Sequence, residues 1–367
     1  IEENKYCGEV KEGYRAYCGP EMYPGSPDRL YRNDGKGHFT DISREAGVAD
    51  GEGKGLGIVV VDFDRDGDPD LFVANDGMAN YLYIHDGKGR FIEGGFAAGL
   101  ALGDEGTARS GMGVDAGDYD GDGLQDIFVA NLSFQPSSLF HNNGDGTFSE
   151  RSFASGIASA TQLMTGYGAA FVDFDNDGWL DLFQANGHML DNVELYFDNL
   201  SYAEPGQIFR NRGDGTFEDV TSALAPDLTR PCVGRGSAVL DLDGDGNRDL
   251  VVSVAGGKAR VFRNHGVEGR HFLDVLLEGT RSNREGFGAQ LTLDAGRKLH
   301  RVALSSSGYA SQSERMIHFG LGAAGKSGLL EVRWPSGQVD RIPSPGVDRV
   351  VRVVEGSGKA EAIRPGR

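Results

Sequence analysis

The chain has 367 residues, enough to bury at least one large core and to make two domains the natural expectation. Its net charge of −19 argues against a nucleic-acid or anionic-membrane partner, because a phosphate surface is held by Lys and Arg. No apolar run approaches the ~18 residues of a transmembrane helix, and 57 glycines without a three-residue period suit an all-β chain with many tight turns.

Residues 1–27 read as a polar N-terminal loop or insertion. Ile1-Glu-Glu-Asn-Lys is neither a signal peptide nor a Met start, so the chain is expected to begin in mid-repeat, processed or truncated. Cys7 and Cys18 bracket a short segment: a disulfide in an oxidising compartment, two unrelated loop thiols otherwise. Cys232 stands alone, and no Cys-x-x-Cys-His offers a haem attachment.

From 28 to 265 two motifs alternate. The first is a β-hairpin with an Asn/Asp-Gly-x-Gly turn: Leu30 to Phe39, Leu82 to Phe91, Leu139 to Phe148 and Ile208 to Phe217. The second is Asp-x-Asp-x-Asp-Gly-x-x-Asp. It occurs at Asp62, Asp64, Asp66 and Asp70; at Asp118, Asp120, Asp122 and Asp126; at Asp173, Asp175, Asp177 and Asp181; and at Asp241, Asp243, Asp245 and Asp249. Carboxylates at loop positions one, three, five and nine, with Gly at six for the turn, are the spacing of a Ca²⁺ loop. The bidentate Glu at position twelve of an EF-hand is missing, and strand-like runs flank each copy, so these are loops between strands. About four Ca²⁺ ions are expected; their eight positive charges would move the net charge from −19 to −11.

The first aspartates of the loops recur at intervals of 56, 55 and 68 residues. A four-stranded unit of that length, repeated, is a propeller blade. The fold expected is therefore an all-β propeller of four full repeats and a half repeat. The third blade carries an insertion of about fourteen residues between His188 and Pro205. Its Met189, Tyr196, Phe197 and Tyr202 read either as a partner surface or as packed decoration.

Residues 266–355 leave the repeat and alternate as a small β-sandwich, as in His271-Phe-Leu-Asp-Val-Leu-Leu and Leu329-Leu-Glu-Val-Arg-Trp. The polar tail 356–367 is expected to be disordered.

Three motif matches carry no function. Gly320 to Ser327 fits a P-loop, but a strand pattern follows where a phosphate-binding helix would be needed. Arg212-Gly-Asp214 falls in a hairpin turn. The sequons at Asn131 and Asn199 matter only in a glycosylating source.

The alternating loop and hairpin units resemble the FG-GAP/VCBS repeats of integrin-alpha-like propellers. Ser282 to Ala289, Gly308-Tyr-Ala-Ser-Gln312, His318-Phe-Gly-Leu-Gly322 and Arg333-Trp-Pro-Ser-Gly337 resemble the ASPIC/UnbV domain of the cartilage acidic protein-like family. That resemblance implies a ring of seven blades when complete, an extracytoplasmic setting (secreted, periplasmic or cell surface), and binding rather than catalysis. No Gly-x-Ser-x-Gly or His-Glu-x-x-His is present. The expected function is a non-enzymatic calcium-binding scaffold that engages a protein or glycan. Alternatives are a polysaccharide lyase or hydrolase on a propeller scaffold, and an accessory subunit of a membrane-associated complex.

Overall fold

A computed structural model describes residue 7 and residues 9–15, 17–49 and 51–365. The N-terminal segment forms a short hairpin, Glu9–Lys11 with Tyr14–Arg15. A Cys7 to Cys18 disulfide brackets it, with Cα atoms 5.3 Å apart.

The repeats fold as antiparallel sheets whose strands lie in sequence order. A two-stranded hairpin, Tyr31–Asn33 with Phe39–Asp41, comes first. Three four-stranded blades follow, beginning at Gly55–Val61, Gly111–Gly117 and Gly166–Val172. The fourth repeat keeps three strands, Gly234–Leu240, Asp249–Val254 and Arg260–Phe262. Its hairpin template breaks at His265-Gly-Val-Glu-Gly-Arg270, and the strand after it, His271–Glu278, joins the C-terminal domain instead. Among the described residues the blades form an arc and do not close into a ring.

Each apolar core lies between adjacent blades, because the aromatic and branched positions of one sheet face the next. Val61, Phe72, Ile127 and Phe140 form the first seam. Phe128, Leu139, Leu182 and Phe209 form the second, and Phe183, Val239 and Leu250 the third. Innermost strands approach so closely that a Cβ on Gly113 would stand 1.8 Å from the carbonyl oxygen of Tyr167. Glycine at that position is therefore a packing requirement.

The C-terminal domain is two facing four-stranded sheets around Leu273, Leu291, Phe319, Leu330 and Trp334. One sheet contains a parallel pair, His271–Glu278 with Arg349–Val354. The expectation of a disordered tail is corrected here. Ala360–Pro365 adds an antiparallel edge strand to Arg349–Val354, after turns at Gly356 and Gly358. The Arg352 to Glu361 ion pair ties it down. The tail is polar because that strand lies at the sheet's edge.

This sandwich sits on the end of the arc that bears the Asp loops. Its segment 304–316 runs along the innermost strands: Gly308 and Val114 exchange backbone hydrogen bonds, and Ser306 Oγ donates to the Ile58 carbonyl at 3.0 Å. The Tyr309 ring meets Tyr167 edge-on, 5.0 Å between centroids.

Candidate metal centres in four Asp-rich loops

Each Asp loop joins the first and second strands of its blade. Position six is a left-handed Gly, with φ of 99° at Gly67, 87° at Gly123, 92° at Gly178 and 87° at Gly246. Position four is left-handed too, at Arg65, Gly121, Asn176 and Gly244. This double reversal wraps the loop around the position-one carboxylate, which accepts the N–H of the Gly at six. Those distances are 3.2 Å at Asp62, 3.0 Å at Asp118, 2.7 Å at Asp173 and 3.0 Å at Asp241.

The position-nine carboxylate works as a staple. In Asp70, Asp126, Asp181 and Asp249 one oxygen accepts the N–H of loop position two, from Phe63, Tyr119, Phe174 and Leu242 respectively. The other oxygen accepts an N–H at the end of the third strand or just beyond it, from His85, Asn142, Asn211 and Asn264. One side chain thus fixes the loop and both strands beside it.

Carboxylate oxygens converge to within 4.8 Å in the groups Asp62/Asp64/Asp66, Asp118/Asp120/Asp122, Asp173/Asp175/Asp181 and Asp241/Asp243/Asp249. Asp126 instead groups with Asp120 and His141, while Asp70, Asp177 and Asp245 stand outside these groups. Burial pushes the carboxyl of Asp70 up to about 6, Asp118 to about 6, and Asp126 and Asp173 to about 7. Neighbouring loop carboxylates add repulsion at Asp62, Asp120 and Asp175, after the larger effect of burial. Asp62 Oδ1 is buried without a hydrogen-bond partner. Hard oxygen donors, mutual repulsion and an orphan oxygen fit a hard divalent cation, which would supply the missing positive charge.

The hairpin motif also places basic groups at the loops, which reading each motif separately missed. His141 Nδ1 lies 3.2 Å from Asp120 Oδ2 and 3.3 Å from Asp126 Oδ1. In the fourth repeat the equivalent Arg263 pairs with Asp243 and lies 3.7 Å from Asp245. The third position of the hairpin motif is Arg or His in four of five copies, a signal visible once the two motifs are aligned as one unit.

The C-terminal sandwich reaches all four loops. Gln290 Nε2 donates to Asp62 Oδ2 at 3.1 Å, and His300 lies against Gly123. Arg301 donates to the Gly178 carbonyl at 3.2 Å and stands near Asp118 and Asp173. His318 Nε2 meets Asn176 Oδ1 at 2.7 Å. A Cβ on Gly320 would fall 2.0 Å from Asp173 Oδ2, and one on Gly246 2.0 Å from the Phe272 ring. Gly320, the first residue of the P-loop match, is thus a contact glycine, and Leu329–Arg333 beyond that match is a strand. At the fourth loop, Arg248 is buried between Glu314 and Asp274, 2.5 Å from the latter. Burial, with the Arg248 charge next, pushes His318 down to about 4.

A cavity of about 150 Å³ lies between the innermost strands and segment 304–316. Its charged lining includes Asp115, Arg248, Arg301 and Glu314. Asp115 accepts the Phe171 N–H at 2.8 Å, so it cross-links two innermost strands.

The insertion of the third blade is part decoration and part surface. His188 is buried, with Nδ1 accepting the Leu190 N–H at 3.0 Å. Tyr196 and Tyr202 are half-buried, and Met189 and Phe197 are exposed. Arg212 to Asp214 forms the hairpin turn, with Gly213 at φ 72°.

Residues 19–73, 62–129, 118–183 and 198–252 match the FG-GAP-like repeat, and residues 279–360 match the ASPIC and UnbV domain. The chain belongs to the FG-GAP repeat family. This FG-GAP protein is 30% identical over 328 residues to cartilage acidic protein 1 of Homo sapiens, covering 71% of this chain and 48% of that protein. It is 29% identical over 284 residues to cartilage acidic protein 1 of Mus musculus, covering 74% and 40%. The chain therefore spans less than half the length of these relatives. An Agrocybe aegerita lectin that recognises non-reducing terminal N-acetylglucosamine aligns with 66% of this chain and 75% of its own. Its identity is 17% and its TM-score 0.28, too loose a superposition to carry an argument.

Proposed function

We propose that this FG-GAP chain is a calcium-binding, non-enzymatic interaction scaffold that works outside the cytoplasm. The observation that carries the reading is the fourfold recurrence of one loop whose carboxylate oxygens converge to within 4.8 Å of one another. Residues Asp62, Asp118, Asp173 and Asp241, with the position-three aspartates and whichever of positions five and nine converges on them, would hold Ca²⁺. The larger ion suits these loops better than Mg²⁺, which keeps several waters and demands a tight octahedron. Bound calcium would supply charge neutralisation and strand clamping, and it would leave the blade faces to a partner. The Cys7 to Cys18 disulfide supports an oxidising compartment. No helix of the described residues is long and apolar enough to cross a membrane.

The reading is tested by metal analysis of the purified chain together with calorimetric calcium titration. About four Ca²⁺ per chain are expected, with Mg²⁺ binding more weakly. Retention of no divalent ion at millimolar calcium would overturn it.

A further inference from the structure

Residues 187–206 leave the third blade between its second and third strands, at the opposite end of the sheet from the Asp loops. The segment holds four carboxylates, Asp191, Glu194, Asp198 and Glu204, and no Lys or Arg. Glu204 is buried, which leaves three carboxylates at the surface. His188 is buried as well and pushed below its ordinary pKa by desolvation, so the insertion presents no cation. Val193 and Leu200 are buried and anchor the segment as folded structure.

On this acidic ground stand apolar side chains facing water. Phe197 is 41% exposed and Met189 42%. The Phe197 ring meets Phe134 of the neighbouring blade, 5.4 Å between centroids. Phe134 is 44% exposed and sits at φ 66°, a left-handed backbone that a bulky aromatic adopts only under strain. It is pinned there, because its N–H donates to the Gln162 carbonyl at 2.7 Å while Gln162 Nε2 donates back to its own carbonyl at 3.1 Å. A strained backbone that holds an aromatic ring half in water adds little to a core. The patch continues to Tyr17, 59% exposed, whose hydroxyl donates to Asp191 at 3.1 Å.

Charge decides what fits. An acidic rim around apolar anchors, on a chain of net charge −19, repels anionic glycans and acidic proteins and attracts cations. The two phenylalanine rings stand at 63° to each other, so they do not form the flat platform on which a neutral sugar ring stacks. An Arg or Lys side chain suits such a pair of rings, since its charge can meet Asp191 or Asp198 while its stem covers a ring face. We propose that this patch docks a basic protein segment, rich in Lys or Arg, with an apolar side chain seated against Phe134 and Phe197. The proposal rests on the reading of the chain as an interaction scaffold and names the surface and partner class.

The test uses the whole chain in millimolar Ca²⁺, with a fluorescent amphipathic Lys/Leu peptide of about 20 residues as the probe and its Glu/Leu counterpart as control. Anisotropy titrations at about 50 and about 300 mM salt compare three variants. Phe134→Gly with Phe197→Ser should weaken binding of the basic peptide roughly tenfold. Asp191→Asn, Glu194→Gln and Asp198→Asn together should remove most of the salt dependence. Neutralising Glu45, Glu268 and Asp294, exposed carboxylates outside this patch, should change little. Equal loss in the two charge-neutralised variants, or undiminished binding to the phenylalanine variant, would overturn the proposal, as would preference for a neutral oligosaccharide or the acidic peptide. Melting in calcium verifies that each variant is folded. A failure of the calcium reading would appear in metal content instead and leave these titrations interpretable.

Discussion

The Asn211 side chain leaves its own blade to donate from Nδ2 to the Tyr119 carbonyl of the preceding blade, 2.7 Å away. The same amide nitrogen lies 2.9 Å from the Leu180 carbonyl, and Oδ1 accepts the Gly213 N–H at 2.8 Å. Asn142 reaches the Phe63 carbonyl in the same way, and Asn264 the Phe174 carbonyl. The acceptor in all three is position two of the preceding Asp loop, so the third strand's end in these repeats is bolted to the loop of its neighbour. Asn211→Ala should cost about 1–3 kcal/mol, because two carbonyls lose their donor in a buried seam. Urea denaturation measures it, and a change within error of zero would mean that water replaces the amide.

The loops support the sandwich as well as the strands. Arg301 and Gly320 contact loop backbone or carboxylate, Gln290 a loop carboxylate and His318 the Asn176 side-chain amide. Calcium removal should therefore loosen the C-terminal domain together with the blades, since loops carrying unneutralised carboxylates repel one another and lose their shape. Chelation should lower the melting temperature and expose the connection Arg263 to Arg270 to trypsin. Asp173→Asn should reproduce part of the effect in calcium. A connection equally resistant with and without chelator would separate docking from metal.

Arg248 links the fourth loop to the sandwich through Asp274 and Glu314. Arg248→Met leaves the buried Asp274 and the half-buried Glu314 without their cation, and a loss of about 3–5 kcal/mol is expected from equilibrium denaturation. Replacing all three by apolar residues of similar volume should recover most of that loss, because the desolvation cost of the charges disappears with them. If the single and triple variants unfold alike, the network is a packing element and its charges are incidental.

The repeat made much of this fold legible. Asp62 to Asp70 and Leu82 to Phe91 carry local instructions, such as left-handed glycines and apolar pairs, that hold wherever the unit is placed. Asn211 was readable only as a hairpin residue, since its second partner lies 92 residues away. Segment 304–316 offered no periodicity, because its backbone pairs with the innermost strands through an isolated bridge at Gly308. Glu355 gave no motif either, yet it accepts the N–H groups of Thr280, Arg281 and Ser282. These hydrogen bonds outweigh its desolvation and hold its carboxyl down at about 2. The edge strand Ala360–Pro365 was missed because polarity at a sheet edge looks like polarity in a tail.

Glu204 provides a pH test remote from the Asp loops. Burial pushes its carboxyl up to about 8, although Oε2 accepts the Thr165 N–H at 2.8 Å. Oε1 is buried and finds no partner. The folded chain therefore holds a proton that the unfolded chain releases near the ordinary glutamate pKa of about 4.3. Its stabilising contribution is complete below that pH and is lost as pH rises through about 8. Glu204→Gln mimics the protonated form, with its amide oxygen accepting from Thr165. The variant should match the wild type at pH near 4 and exceed it increasingly in stability toward pH 8. Denaturation midpoints across that range decide the matter. Parallel curves for the two proteins would show that Glu204 is ionised in the fold, its charge met by the nearby Arg235 guanidinium.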